Sequence, residues 1–292
     1  MTKSFLQRDP IQRDRDMVRE SRLVERTLIA LVFVILALFF FAPMLVVFVE
    51  AGRKGLLAYF TAIADPETKS AIKMTLMVAT LAVPINALFG LAAAWAIARF
   101  EFPLKNLLVT LIDLPFSVSP VVVGLSFVVL FGSRGYFAPL LVQYNLQIIF
   151  AWPGLVLATT FVTFPFVARE LIPLMQQQGV EDEEAALTLG ASPLKMFLTV
   201  TLPNIKWGLI YGILLCNARA MGEFGAVAVV SGRIRGMTTT LPLQVEVLYG
   251  GFDLAGAFAI ASILAGLALV TLIIKTVLEW RHAADLAASQ RH

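Results

Sequence analysis

Charge is scarce in this chain, and side chains able to carry chemistry are scarcer. Asp, Glu, Lys and Arg make up 15% of the 292 residues, with two histidines and one cysteine, Cys216. A lone cysteine inside an apolar run excludes an intrachain disulfide framework and a thiolate metal cluster. His282 and His292 lie in the polar C-terminal tail and form no catalytic or metal-ligating constellation. There is no Gly-x-x-x-x-Gly-Lys-Ser/Thr stretch, and no nucleotide-binding domain fits between the apolar runs, so ATP hydrolysis is not expected of this chain. No metal, cofactor or catalytic residue is expected in it. Asp113 and Glu223 stand apart in apolar surroundings, with no serine–base pair or second acid beside them, which argues against an intramembrane enzyme. The net charge is only +3 and unevenly placed, which argues for orientation in a bilayer and against nucleic-acid binding.

Apolar residues are what the chain has in excess: 59% of the total, with a mean hydropathy of +0.82. Six runs are long enough to cross a membrane: residues 27–49, 73–98, 107–131, 148–168, 205–230 and 256–278. Unbroken runs of that length lack the alternation of a β-barrel, and a bilayer offers nothing to pair with exposed backbone. The expected fold class is therefore an all-α polytopic membrane protein with six transmembrane helices. The first run is followed by Glu50, Arg53 and Lys54 and no small-residue cleavage site, so it reads as an uncleaved span. Pro115, Pro120, Pro153 and Pro165 allow kinks or shifted boundaries in the third and fourth. The expected layout is a tail at 1–26, a membrane region at 27–280 containing a polar loop at about 169–206, and a tail at 281–292. With both termini cytoplasmic, inner segments hold fifteen Lys and Arg and outer ones seven, which is the orientation favoured by the positive-inside rule.

That loop is the most informative stretch. Glu181, Asp182, Glu183 and Glu184 open a helix where carboxylates complement the positive dipole end. Ala185, Ala186, Leu187 and Leu189 continue it, and Gly190 can end it in the left-handed region. Ser192-Pro193 reads as N-cap and first turn of a second short helix carrying Leu194, Met196, Phe197 and Val200. Two short helices with a sharp turn between them form a compact element that can transmit a push.

The spacing Glu184-Ala185-Ala186-x-x-x-Gly190-x9-Val200-x-Leu202-Pro203 resembles the EAA loop of inner-membrane subunits of binding-protein-dependent ABC importers, with Val200 where that family often has isoleucine. Residues 113–124, 217–227 and 240–243 resemble the molybdate/sulfate branch, and residues 145–148, 164–171 and 230–236 the W-type subunits of sulfate/thiosulfate permeases; the likeness spans about Ala42 to Trp280. It implies a type I importer permease fold in a bacterial inner membrane, with Glu184, Ala185, Ala186, Gly190, Leu202 and Pro203 in a coupling helix docked on a separate ATPase. It further implies two ATPase subunits binding ATP and Mg, a T-type paralogous permease, a periplasmic sulfate/thiosulfate-binding protein, and sulfate or thiosulfate as cargo. A molybdate or tungstate importer is the nearest rival, and a secondary anion carrier the rival outside the class.

Several residues are candidates for the path itself. Arg219 and Glu223, four apart in the fifth run, either hold helices together by mutual neutralisation or serve gating and anion passage. Gly222 narrows the same segment, for packing or for the route, while Asp113, Pro115 and Pro120 mark a kink or gate in the third run. Arg233 and Arg235, beyond the fifth run, either attract an oxyanion or an acidic receptor patch or are merely solvated.

Overall fold

The computed structural model describes residues 22–289; most of the N-terminal tail, and His292, lie outside them, as does the side chain of His282. The chain divides between Val49 and Glu50 into two compact units. Helix α1 (Leu23–Gly52) makes up the described part of the first and ends just inside the second. Its one interruption is a π turn at Ala37–Phe41, where the Ala42 N–H donates to the Ala37 carbonyl. Pro43 follows directly. A proline ring crowds the carbonyl four residues back, here that of Phe39, and the wider turn relieves the clash without ending the helix.

The second unit contains α2 (Leu56–Ala64), α3 (Pro66–Arg99), α4 (Lys105–Ser117), α5 (Pro120–Phe131), α6 (Ala138–Gln143), α7 (Trp152–Thr163), α8 (Pro165–Gln178), α9 (Glu181–Thr188), α10 (Pro193–Met221), α11 (Gly225–Val230), α12 (Leu241–Gly250) and α13 (Leu254–Ser289). No strand occurs among the described residues. Taking α7 and α8 as one span, five helices among them are long and apolar enough to cross a bilayer, or six if the bent pair α4 and α5 is counted as one.

Helix α3 starts sharply because Asp65 accepts from the N–H groups of Glu67 and Thr68 and Pro66 takes the first helical position. Its buried stripe, Ala71, Thr75, Val78, Ala82, Asn86, Gly90, Ala94 and Ile97, recurs every three or four residues and faces the bundle. Small residues let the backbones meet there. A methyl group on Gly90 would lie 2.7 Å from Val167 Cβ, and one on Gly212 3.0 Å from Val167 Cα, so α3 and α10 clasp α8 at one residue. Val167, Leu171, Met175, Ile205 and Cys216 complete that core.

Three expected boundaries are corrected. The third run is two helices meeting at 105°, broken at Val118 and Ser119, both extended. Pro120 causes the break, since a residue before proline is pushed out of the helical region, whereas Pro115 is accommodated inside α4. The fourth run continues as helix to Gln178, beyond its expected end at Ala168. The fifth run does not reach Val230: α10 stops at Met221, and residues 222–224 separate it from the short α11.

Candidate functional site

The turn between α9 and α10 has the geometry its sequence predicts. All four carboxylates of residues 181–184 lie in the first turn of α9. The Gly190 N–H donates to Leu187 O and the Ala191 N–H to Ala186 O, both at 3.0 Å, with Gly190 at φ +87°. This is a Schellman ending, which needs a left-handed residue where glycine sits. Ser192 Oγ then accepts from the Lys195 N–H and Pro193 takes the first position of the next helix. That helix is not the short one expected from the sequence. It runs through a π turn at Phe197–Thr201 into the whole of α10, and Pro203 follows this π turn as Pro43 follows the first.

Leu202 and Pro203 therefore lie within the membrane-crossing helix and not in the turn. Glu184, Ala185 and Gly190 are exposed and Ala186 half-buried, flanked by exposed Leu187 and Leu194 and by Leu189, whose side chain is 88% accessible. A water-facing leucine at that exposure beside small residues makes an apolar edge with room for a partner to approach closely.

The inner side of α9 is bound tightly to the bundle, which the sequence did not reveal. Glu183, only 8% exposed, takes Arg99 Nε on Oε2 at 2.8 Å and Arg99 Nη2 on Oε1 at 3.1 Å. Thr201 Oγ1 donates to the same Oε1 at 2.7 Å, and Arg99 Nη1 donates to the Met175 carbonyl at 2.7 Å. A second strap runs from Asn204 Nδ2 to Asp182 Oδ2 and from Gln178 Nε2 to the Asn204 carbonyl. The only sequence signal for Arg99 was a cation closing an apolar run; its partner is 84 residues away.

Elsewhere the charged candidate residues are all in ion pairs. Arg219 Nη1 sits 2.6 Å from Glu223 Oε2, with the acid at 1% side-chain exposure and the arginine at 35%. Although Glu223 lies beyond the end of α10, the pairing expected from i,i+4 spacing survives because a turn continues past Met221, with the Glu223 N–H donating to Ala220 O at 3.3 Å. Glu223 Oε1 also accepts from the Ala226 N–H, capping α11. Gly222 at the bend is exposed and has room for a side chain. Asp113, expected to lack a partner, has one: Arg169 Nε at 2.7 Å, whose guanidinium also lies over the Phe116 ring. Pro115 is buried two residues on, and Pro120 opens α5, where a methyl on Gly225 would meet its ring at 2.9 Å.

Arg233 adopts φ +53° and pairs with Glu246 at 3.0 Å, while Arg235 reaches Glu67 at 3.9 Å. These two pairs lie at the end of the bundle away from Gly190, close to where α3 and α12 begin. Among the described residues, no group of three or more His, Cys, Asp or Glu is placed to hold a metal ion.

Residues 86–282 match the protein family described as binding-protein-dependent transport system inner membrane component. Over 254 residues the chain is 50% identical to the sulfate transport system permease protein CysW of Escherichia coli (strain K12), covering 87% of each chain. It is 35% identical over 239 residues to the sulfate transport system permease protein CysT of Salmonella typhimurium, covering 82% of this chain and 86% of that one. Among solved structures, a chain of a bacterial alginate ABC transporter in complex with alginate pentasaccharide-bound periplasmic protein superposes with a TM-score of 0.75 at 16% identity, covering 94% of this chain and 98% of the other. At that identity the likeness speaks for the fold alone: the all-α polytopic architecture of an ABC importer permease.

Proposed function

The chain belongs to the family of binding-protein-dependent transport system inner membrane components, and on that premise we propose that it is the W-type permease subunit of an ATP-driven sulfate importer that also carries thiosulfate. It is a non-catalytic, multi-pass membrane subunit. Half of the translocation pathway is its contribution. A T-type permease supplies the other half, two ATPase subunits bind ATP and Mg on the cytoplasmic side, and a periplasmic binding protein delivers the anion. The 50% identity to a sulfate permease over most of both chains supports the cargo. The related T-type sequence supports a pathway built from two unequal copies.

The observation that carries the coupling role is the exposed apolar edge around Gly190 at the head of an unbroken helix. Leu189 and Leu194, beside Ala185 and Ala186, offer an ATPase cleft a surface it can close on. A push there enters the 29-residue α10 directly and is delivered roughly 43 Å away at a rise of about 1.5 Å per residue. At that far end lie the break at Gly222 and the Arg219–Glu223 pair. In this reading the orientation places both termini and the α9–α10 turn in the cytoplasm, and Arg233 and Arg235 on the periplasmic side, where they meet the receptor or the arriving anion.

Stripping water from a dianion is costly, and a permease that held it tightly would obstruct its own turnover. Selectivity therefore rests mainly with the binding protein, and neutralised pairs such as Arg219–Glu223 and Arg169–Asp113 keep the path weakly attractive. The test is reconstitution of the chain with its T-type partner, ATPase and receptor in proteoliposomes, followed by ATP-dependent uptake of labelled sulfate. Competition by thiosulfate but not molybdate is the expected result. Preferential uptake of molybdate moves the assignment to the neighbouring branch, and uptake driven by an ion gradient without ATP refutes it.

A further inference from the structure

We propose that Arg99 is a positioning residue for energy coupling, the pin through which movement of α9 is passed to α3 as well as along α10. This deepens the coupling reading above and rests on it. Covalent continuity links α9 to α10 through the short turn at residues 189–192, and α3 ends at Arg99, far earlier in the chain. The polar link from α3 to α9 is one guanidinium, while α9 also reaches α10 through Glu183–Thr201 and Asp182–Asn204. The Arg99 Nη2 donates to Glu183 Oε1, its Nε lies 2.8 Å from Oε2 as an ion-pair contact, and its Nη1 donates to Met175 O in the last turn of α8, so a single planar group touches three helix ends in one geometry.

Thr201, on the π turn of α10, binds the same carboxylate and brings a fourth helix into the arrangement. The pair is largely buried, at the wall of an open cleft of about 270 Å³ that Val180 and Leu187 also line. Side-chain exposures of the pair are 8% and 11%, and Trp95 packs its ring 5.5 Å from Phe100 and 5.2 Å from Phe197 alongside it. Surface carboxylates 181 and 184 of the same helix turn remain outside, so the helix presents one face to a partner and has the other pinned.

A buried ion pair can be a plain brace, and replacing both partners by apolar residues of similar volume often restores a brace. The decisive variant is therefore the double replacement Arg99→Met/Glu183→Leu, read by sulfate uptake per ATP hydrolysed in proteoliposomes of the complete transporter. A cysteine introduced at Leu189, crosslinked to the ATPase, reports docking separately. The expected result is an assembled complex that docks and hydrolyses ATP at wild-type levels, with uptake per ATP reduced at least tenfold. Arg99→Lys keeps the charge but not the fork, and is expected to give a partial loss of the same ratio.

Wild-type uptake per ATP in the double variant overturns the inference and leaves the coupling reading intact, and so does a loss of docking that accounts for the whole loss of uptake. If the double variant does not assemble, Arg99→Lys decides, and a normal ratio there overturns the proposal. If the Leu189 cysteine in an otherwise unchanged chain never crosslinks to the ATPase, the coupling reading falls and this inference with it.

Discussion

Replacing Gly190 isolates the conformational demand of the coupling turn from every packing effect. A Cβ built on Gly190 meets nothing within 4 Å, so a side chain there costs the free chain no steric contact. What remains is the backbone. At φ +87° an L-residue with a side chain is penalised by roughly 1–2 kcal/mol, more when β-branched, while asparagine tolerates the region best. That penalty bears directly on the two 3.0 Å bonds closing the turn, from Gly190 N–H to Leu187 O and from Ala191 N–H to Ala186 O. A cost of roughly 1–2 kcal/mol lowers the population of the native turn relative to its alternatives by about 5- to 30-fold. Sulfate uptake by Gly190→Val should fall by about that factor, Gly190→Ala should be intermediate and Gly190→Asn near wild type, with the purified chain melting almost unchanged because the loop is surface-exposed. Normal uptake by Gly190→Val would remove the turn from the mechanism. An equal defect in Gly190→Asn and Gly190→Val would mean that side-chain bulk against a partner, and not left-handed backbone, is the relevant property.

Two further perturbations test the packing around the path. Arg219→Met alone leaves Glu223 buried at 1% exposure without its cation, which should destabilise the subunit by about 3–5 kcal/mol, whereas Arg219→Met with Glu223→Gln should restore most of the melting temperature in detergent. If the double variant is stable and transports normally, the pair is purely structural, and if it is stable but slow, the pair serves passage. At Gly124 a methyl group would meet Ala226 O and Val229 Cβ at 2.8 Å, so Gly124→Leu should separate α5 from α11 at a cost of about 1–3 kcal/mol. An unchanged melting curve for Gly124→Leu would contradict the close approach of those helices.

Local signals carried most of what could be read from the residues alone. The α9 ending was legible because Gly190, Ser192 and Pro193 each act within a few residues, and the structure uses all three as their chemistry suggests. The break in the third run was half legible: two prolines flagged it, but only the structure shows that Pro120 and not Pro115 turns the chain. The fifth run extends too far in the sequence because apolar residues resume on both sides of Arg219 and Glu223 and continue to Val230, and hydropathy carries no information about direction. Long-range pairing was opaque throughout. Asp113 looked unpartnered since Arg169 lies 56 residues away, and Glu183 looked like one of four equivalent dipole-facing acids until Arg99 singled it out. Helix periodicity says which face is buried and is silent on which polar groups meet across it.

In the coupling reading proposed above, α10 is the stiff arm and residues 222–224 are the joint at its end. Pro203 should have ended or bent the arm; the π turn at Phe197–Thr201 moves the crowded Thr199 carbonyl aside, so the helix passes from the coupling turn to Met221 without a break. At the far end the helix stops with no proline, at Gly222. There Glu223 does two things at once, accepting from the Ala226 N–H to start α11 and neutralising Arg219 on the arm it has just left. Residues 222–224 thus separate α10 from α11, which packs closely on α5 at Gly124, while one carboxylate ties both sides of the break. A proline is carried within the arm because a π turn relieves it, and the arm ends without one.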